Sequence, residues 1–344
     1  MARAVARRGG AAALPQWITP QLTRLVDTAP DGDAWLHEIK FDGYRMMTRL
    51  DRGAVKLLTR TGLDWTHKYP AIAEAVSSLG ARDAYLDGEL CGVDPDGITS
   101  FSMIQLASDA GNAAALVFFL FDRLHLDGED LRLRPVLDRK ARLAELLAGV
   151  PVPLAYSDHQ IGHGPEFHKQ ACAMSLEGIV SKRAAAPYPP GNRGLWRKVK
   201  CLHREEFVIV GWTDPEGSRP YLGALLLAYY DPAGRLVYAG LAGTGINTAE
   251  LERLWHRLQP LATGTMPLAV PPPRGSRFGL PLVLSRVRWV RSKLVADAKY
   301  LTWTADNLLL RQMVYEGLRE DKPASEVRRE LPHPRPATTG DNRI

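Results

Sequence analysis

Over the first half of the chain the apolar positions come in short alternating runs, and only two stretches carry the spacing of a helix. Residues 35–40 alternate as a strand running into a turn, 55–58 as a second short strand, and 84–90 as a third that Gly88 should break. A dense apolar run over 115–122 suits a central strand, and 178–182 and 195–199 add two more. Helical spacing marks 69–79, where Pro70 stands near the start, and 135–147, which has a basic and an apolar face. The proline- and glycine-bearing stretch 11–34 reads as an extended entry with a short helical piece. Short strands with occasional helices, lacking a regular strand–helix–strand rhythm, predict an α+β domain.

The texture changes near Arg204. Strands at 206–212, 221–230 and 235–241 are parted by the turns Asp214-Pro215-Glu216-Gly217 and Asp231-Pro232-Ala233-Gly234. A helix at 248–258 with Thr248 as its cap follows, then a proline-rich connection over 267–281 and strands at 287–290 and 298–303. This pattern predicts a small β-barrel with one inserted helix, of which the oligonucleotide-binding barrel is one form. The boundary falls between 201 and 206. The expected division is a basic flexible leader over 1–13, domains over 14–203 and 204–330, and a polar tail over 331–344.

Length and composition narrow the class. In 344 residues two domains can each bury a core, and 45% apolar with 24% charged residues is a soluble globular balance. No apolar run approaches the roughly 18 residues of a membrane span, and the arginine-bearing stretch from Met1 to Gly10 lacks a hydrophobic signal core. Cys91, Cys172 and Cys201 lack C-x-x-C spacing, which argues against a disulfide framework and a structural zinc site, and zinc is not expected at His159, His163 and His168 either. A reducing cytoplasm is the expected location. The formal charge of +6, from 44 basic and 38 acidic residues, permits a polyanionic partner without requiring one.

The candidate chemistry lies in four charged motifs. Glu38-Ile39-Lys40-Phe41-Asp42-Gly43-Tyr44-Arg45 boxes a lysine between acids. A lysine amine attacks only when deprotonated, and nearby cations or partial burial lower its pKa. Asp42 is placed to orient Lys40 or a magnesium ion, and Gly43 permits a tight turn. Glu89, after Asp87-Gly88, and Glu177, before Gly178, are acids of the hard-oxygen type that magnesium takes beside a triphosphate, while Asp87 reads as support for a turn. Lys182, Lys198 and Lys200 supply point cations for a phosphoryl transfer, and strand alternation puts Lys198 and Lys200 on one face with Arg197 on the other.

In this order the motifs resemble those of covalent nucleotidyltransferases, specifically ATP-dependent DNA ligases, and within them the ligase module of bacterial non-homologous end-joining ligases. The resemblance covers roughly residues 14 to 330 and includes Thr59-Arg60-Thr61-Gly62-Leu63-Asp64-Trp65, Gly317-Leu318-Arg319-Glu320-Asp321-Lys322, Arg328-Arg329-Glu330, Trp303-Thr304 and Gly240-Leu241-Ala242-Gly243-Thr244-Gly245. It implies an adenylation domain over 14–203 followed by an oligonucleotide-binding domain over 204–330. It assigns Lys40 as the nucleophile that takes AMP from ATP, and Arg45 and Arg60 to ribose or the 5′-phosphate side of nicked DNA. Glu89 takes a ribose or metal role and Glu177 the metal role, with Mg2+ or Mn2+ as the ion. Phe121 would stack on adenine, with backbone near Glu38 and Ile39 as the alternative reader of its amine. Lys182, Lys198 and Lys200 complete the phosphate wall, and Arg319 and Lys322 meet the pyrophosphate during lysine adenylation and then swing away.

Several positions depart from the resembled pattern. Gly191-Asn192-Arg193 stands where glycine-arginine-serine is usual, so a phosphate-binding arginine is shifted or gone, Leu241 replaces an arginine, Ile246 an aromatic, and Arg291-Ser292-Lys293 a proline-acid approach. These changes bear on DNA grip and sealing and leave the adenylation residues intact. The implied partners are nicked or broken duplex DNA, bound in a salt-sensitive and largely sequence-independent way, and a Ku-like end-binding protein. Separate polymerase or nuclease proteins complete the set, because no polymerase or phosphoesterase module is expected in this chain. A monomer, associated with the nucleoid during repair, is expected. The competing readings are an RNA ligase or capping-type guanylyltransferase, and a DNA-end-binding scaffold on a degenerate ligase fold.

Overall fold

The computed structural model describes residues 12–93, 97, 99–100, 103–104, 116–174, 176–201, 204–215, 217, 219–273, 282, 284–300, 302–303, 310–311 and 313–329. The expected tail, most of the expected leader, residues 274–281 of the proline-rich connection, Glu216, Thr304 and Glu330 lie outside the described residues. Two compact units divide after Cys201.

The first unit contains strands β1 (Gln21–Leu25), β2 (Trp35–Ile39), β3 (Tyr44–Asp51), β4 (Ala54–Thr59), β5 (Asp83–Val93), β6 (Thr99–Ser100), β7 (Leu116–Leu126), β8 (Glu129–Asp130), β9 (Leu154–Tyr156), β10 (Gln160–Ile161), β11 (Gly178–Arg183) and β12 (Gly191–Lys200). Its helices are α1 (Pro70–Ser77), α2 (Val136–Leu146) and α3 (Gly164–Ala173). The strands form a five-stranded sheet, β1-β12-β11-β2-β10, and a seven-stranded one along β4-β3-β5-β7-β8 that also carries β6 and β9.

Period-two alternation gives each sheet two unlike faces. On the larger sheet Met46, Leu50, Leu86, Leu90, Phe118 and Leu120 turn to one side and share a core with Ile72 and Val76 of α1 and Leu143 of α2. Met47, Tyr85 and Leu124 turn to the other side and meet Trp196 of the smaller sheet. The smaller sheet's far face buries Ile179 and Val199 with Ala171 of α3. The functional motifs therefore lie where the inner faces of two sheets meet.

Four expectations are corrected here. The stretch read as containing a short helical piece instead supplies β1, which pairs in parallel with β12. The strand expected to break at Gly88 runs on to Val93, absorbing the irregularity as two register shifts against β7. Asp87 is consequently no turn residue: it is fully buried in the middle of β5. Finally, Cys172 and Cys201 form a disulfide. Sequence spacing carried no sign of it, because the pair is made only when the end of α3 comes against the residue following β12.

That bond closes a loop of 29 residues that holds Glu177, Lys182, Lys198 and Lys200. Constraining a loop of this length in the unfolded chain stabilises by about 3 kcal/mol. Cys201→Ser is expected to lose that amount in urea unfolding without reductant, and to match the parent protein once reductant is added. Equal midpoints under non-reducing conditions would show that the bond contributes nothing.

The second unit contains β13 (Arg204–Thr213), β14 (Leu225–Tyr230), β15 (Leu236–Ala242), helix α4 (Thr248–Leu258), and then β16 (Ala262–Thr263), β17 (Val287–Val290), β18 (Val295–Lys299), β19 (Thr302–Trp303), β20 (Leu310–Arg311) and β21 (Val314–Arg319). β13 pairs with β14 on one side and, in succession along its length, with β18 and β17 on the other. β15 extends this sheet beyond β14 and β21 beyond β18, and a bridge between Thr244 and Val314 joins the two ends into a barrel. Leu251, Leu254 and Leu258 plug α4 into the barrel core. Its cap is Asn247 rather than Thr248: the Asn247 side chain accepts from the Glu250 N–H at 2.9 Å. No helix among the described residues is long and apolar enough to cross a membrane.

Candidate active site

Lys40 stands in the loop that carries the chain from β2 in one sheet to β3 in the other. Two glycines let the backbones close around it. A Cβ at Gly43 would lie 2.1 Å from the Leu90 carbonyl oxygen, and one at Gly178 2.1 Å from that of Val199. Close approach, rather than a left-handed turn, is thus what Gly43 supplies. The Lys40 N–H donates to the Gly178 carbonyl at 2.9 Å, which fixes the lysine beside the start of β11.

The Lys40 Nζ lies 2.5 Å from Glu177 Oε1. Burial lowers the proton affinity of this amine, but Glu177, assisted by Glu89 and Asp42, outweighs it and holds the Lys40 pKa above its ordinary value. Of the two influences that lower a lysine pKa, burial is present but outweighed, and the charged groups acting on Lys40 are acids. Three carboxylates act on the Lys40 ammonium. Carboxylates are the hard-oxygen ligands that Mg2+ takes, and Glu177 and Glu89 are the residues that could hold it.

Register explains the next layer. Glu38 pairs with Val180 and Val180 with Lys198, while Lys182 pairs with both Leu36 and Trp196, and Gly178 with Lys200. Alternation then places Glu38, Lys182, Trp196, Lys198 and Lys200 on one face of the smaller sheet. Arg197 takes the other face, its guanidinium 4.6 Å from the centre of the Trp35 ring. Lys182 contacts both Glu38 oxygens, at 2.9 and 2.8 Å, and sits 4.5 Å from the centre of the Phe121 ring and 4.2 Å from that of Trp196. Burial, with Lys140 assisting against the pull of Glu38, pushes the Lys182 pKa down to about 8. An aromatic ring, a carboxylate and an ammonium so arranged offer a stacking surface with one acceptor and one donor at its edge.

Arg45 enters from β3. Its guanidinium makes a two-point pair with Asp87 at 2.9 and 2.6 Å and donates to the Gln21 carbonyl at 2.8 Å. Tyr188 O–H completes the set by donating to Asp87 at 2.6 Å. Arg45 also lies 5.4 Å from the centre of Phe121. Glu89 is its cross-strand partner on β5 and pairs in turn with Phe119 on β7, whose ring stacks on Phe41 at 4.1 Å. Arg60 stands in the turn behind β4.

In the second unit Arg319 forms a two-point pair with Asp321, both bonds at 2.9 Å, and lies 3.6 Å from Asp297. Although burial opposes it, these acids and Glu206 hold the Arg319 pKa well above its usual value. Lys322 is bound to Glu206. Of the positions that depart from the resembled pattern, Asn192 is used locally: its side chain donates to the Thr23 carbonyl and accepts from the Gly194 N–H. Ile246 packs against the barrel core.

Sequence reasoning missed Lys140, Arg139 and Asp122. Val136, Arg139, Lys140 and Leu143 form the buried stripe of α2, and two of those four positions are cations. Charge at stripe positions was the legible signal. Arg139 pairs with Asp122 at 2.7 and 2.8 Å, and Lys140 reaches Glu38 Oε1 at 2.8 Å.

Comparison with known proteins accords with this geometry. Residues 19–200 match the family described as ATP dependent DNA ligase domain, and residues 218–322 the ATP dependent DNA ligase C terminal region. A solved structure described as mycobacterial DNA ligase D complexed with ATP and MES superposes with a TM-score of 0.63 at 34% identity, covering 90% of this chain and 98% of that one. The multifunctional non-homologous end joining protein LigD of Pseudomonas aeruginosa is 41% identical over 338 residues, which are 97% of this chain and 39% of that protein. Its counterpart from Mycobacterium tuberculosis is 37% identical over 298 residues, 86% of this chain and 37% of that protein. The chain thus spans well under half the length of these curated relatives. The fold and its lysine-centred site define a nucleotidyltransferase-type ligase domain followed by an oligonucleotide-binding barrel. The chain belongs to the ATP-dependent DNA ligase family.

Proposed function

We propose that this chain is a DNA-sealing enzyme that joins breaks in duplex DNA through a lysine-linked AMP and a DNA-adenylate, in repair by non-homologous end joining. The observation that carries this is the convergence of Glu177, Glu89 and Asp42 on the Lys40 ammonium, beside a sheet face bearing Lys182, Lys198 and Lys200. Lys40 Nζ, once deprotonated, attacks the α-phosphorus of ATP and pyrophosphate leaves. A DNA 5′-phosphate oxygen then takes the adenylate from Lys40, and the neighbouring 3′-hydroxyl displaces AMP to form the phosphodiester.

Glu177 and Glu89 would hold Mg2+, which would supply neutralising charge at the triphosphate. Asp42 orients Lys40. Phe121 receives the adenine, whose amine is alternatively read by backbone near Glu38 and Ile39, with Arg45 and Arg60 on the ribose and 5′-phosphate side. Lys182, Lys198 and Lys200 stabilise the charge that develops on the phosphate. Broken duplex DNA is the proposed substrate, with a Ku-like end-binding protein and separate end-processing enzymes as partners.

Arg319 and Lys322 are assigned to the ATP pyrophosphate. Arg319→Ala is expected to slow self-adenylation more than sealing of a pre-adenylated nick. Thermal unfolding is measured alongside, because the change also leaves Asp321 and Asp297 short of a partner. Equal loss in both reactions counts against a role at the pyrophosphate.

The deciding experiment incubates the protein with α-labelled ATP and Mg2+, then adds a singly nicked duplex. A labelled protein band that the nick discharges, with a sealed strand appearing, supports the proposal. A band that persists with DNA but discharges on RNA ends would favour an RNA ligase. Nick binding with no band from folded, AMP-free protein would favour a scaffold.

A further inference from the structure

Glu38 is almost wholly buried, and two buried lysines share it. Lys182 contacts both of its oxygens, and Lys140 reaches Oε1 at 2.8 Å while donating to the Ser157 carbonyl at 2.7 Å. Lys140 comes from α2, outside every motif that carries the ligase chemistry, and no exposed surface remains on its side chain. A buried carboxylate balances one ammonium. Placing a second beside it leaves an uncompensated positive charge in low dielectric, which is costly unless something uses it.

We propose that Lys140 is a positioning residue for nucleotide transfer to Lys40: by sharing Glu38 it keeps that carboxylate from fully neutralising Lys182, and so leaves the Lys182 ammonium available to the electron-rich edge or phosphate of the bound nucleotide. The inference rests on the proposed adenylation. Removing the Lys140 charge gives Glu38 wholly to Lys182, which tightens that pair and withdraws the donor from the nucleotide.

The groups facing Lys182 define the expected pH behaviour. Glu38 comes from β2, Lys140 from α2, Asp122 from β7 and His159 from the segment after β9, while Tyr156 lies against Lys140 and Arg45 of β3 shares the Phe121 and Trp196 rings with Lys182. Asp122 is already committed to Arg139. Burial and Lys140 push the Lys182 proton off, and Glu38 and Asp122 retain it, so the balance near 8 depends on Lys140. Loss of the Lys182 proton sets a falling limb of activity on the alkaline side. Without the Lys140 charge, Lys182 keeps its proton to higher pH and that limb moves upward.

The test compares self-adenylation of the parent protein with Lys140→Gln and Lys140→Arg across the pH range. Lys140→Gln retains a donor for Ser157 and Glu38 but carries no charge. It is expected to shift the alkaline limb upward and to raise the KM for ATP several-fold. Lys140→Arg, which keeps the charge, is expected to restore the parental limb. An unshifted limb in Lys140→Gln, or an Arg variant that behaves like the Gln variant, overturns the proposal. NMR titration of the Lys182 ammonium in the parent and in Lys140→Gln requires no activity and no nucleotide. A higher Lys182 pKa in the variant supports the coupling even if no lysine is adenylated, which would refute the ligase reading alone, and an unchanged pKa overturns the coupling. Thermal unfolding checks both variants for folding, and if Lys140→Gln does not fold, Lys140→Met takes its place in the NMR titration.

Discussion

Lys40→Arg is expected to fold, keep an ion pair with Glu177, and take up no covalent label from α-labelled ATP. The guanidinium stays protonated at every pH at which the protein folds, so it cannot become a nucleophile. Lys40→Ala should also fall to background labelling. Its side chain is one-fifth exposed and belongs to none of the apolar clusters of the first unit, so its removal opens no apolar core. The two variants differ in charge but agree in lacking a titratable amine. Gel autoradiography after incubation with ATP and Mg2+ decides the matter, with a melting curve to verify folding. Covalent label at parental level in either variant would place the nucleophile elsewhere.

Arg139→Met is expected to cost about 3–5 kcal/mol of stability, because it breaks an ion pair whose members are both fully buried. Asp122 receives two bonds from that guanidinium, which also donates to the Arg134 carbonyl at 2.6 Å and the Ala186 carbonyl at 3.2 Å. Removing it strands a carboxylate beside Phe121 and leaves two carbonyls short of a donor. The double change Arg139→Met with Asp122→Asn should recover part of the loss, since the stranded charge is the larger share of the cost. Urea unfolding of the single and double variants measures both quantities. A single-variant loss below about 1 kcal/mol would mean that water or another cation reaches Asp122.

The outline of the molecule was legible from local pattern. Alternation located β2, β11 and β12, and a change of texture near Arg204 marked where strands joined by tight turns take over. Boundaries and caps were less so. Thr248 and Asn247 are both good capping residues, and only the backbone conformation of Asn247 chooses between them. β1 was unreadable because its pattern is weak and its partner, β12, lies far along the chain. Asp87 in Asp-Gly-Glu looked like a turn, yet Arg45 and Tyr188 make its burial tolerable inside a strand.

The sequence by itself determined which side chains are present and which share a strand face, because alternation along a strand is a local property of the backbone. Lys198 and Lys200 lie on one side of β12 for that reason. Only the tertiary structure decided their company. That Glu177 would raise rather than lower the proton affinity of Lys40, that Lys140 would stand behind Glu38, and that Cys172 would meet Cys201 all follow from inter-strand register and from helices packing on sheets. Those contacts are set by burying apolar surface across the whole unit, and the charge on a lysine is set by whatever that burial brings beside it.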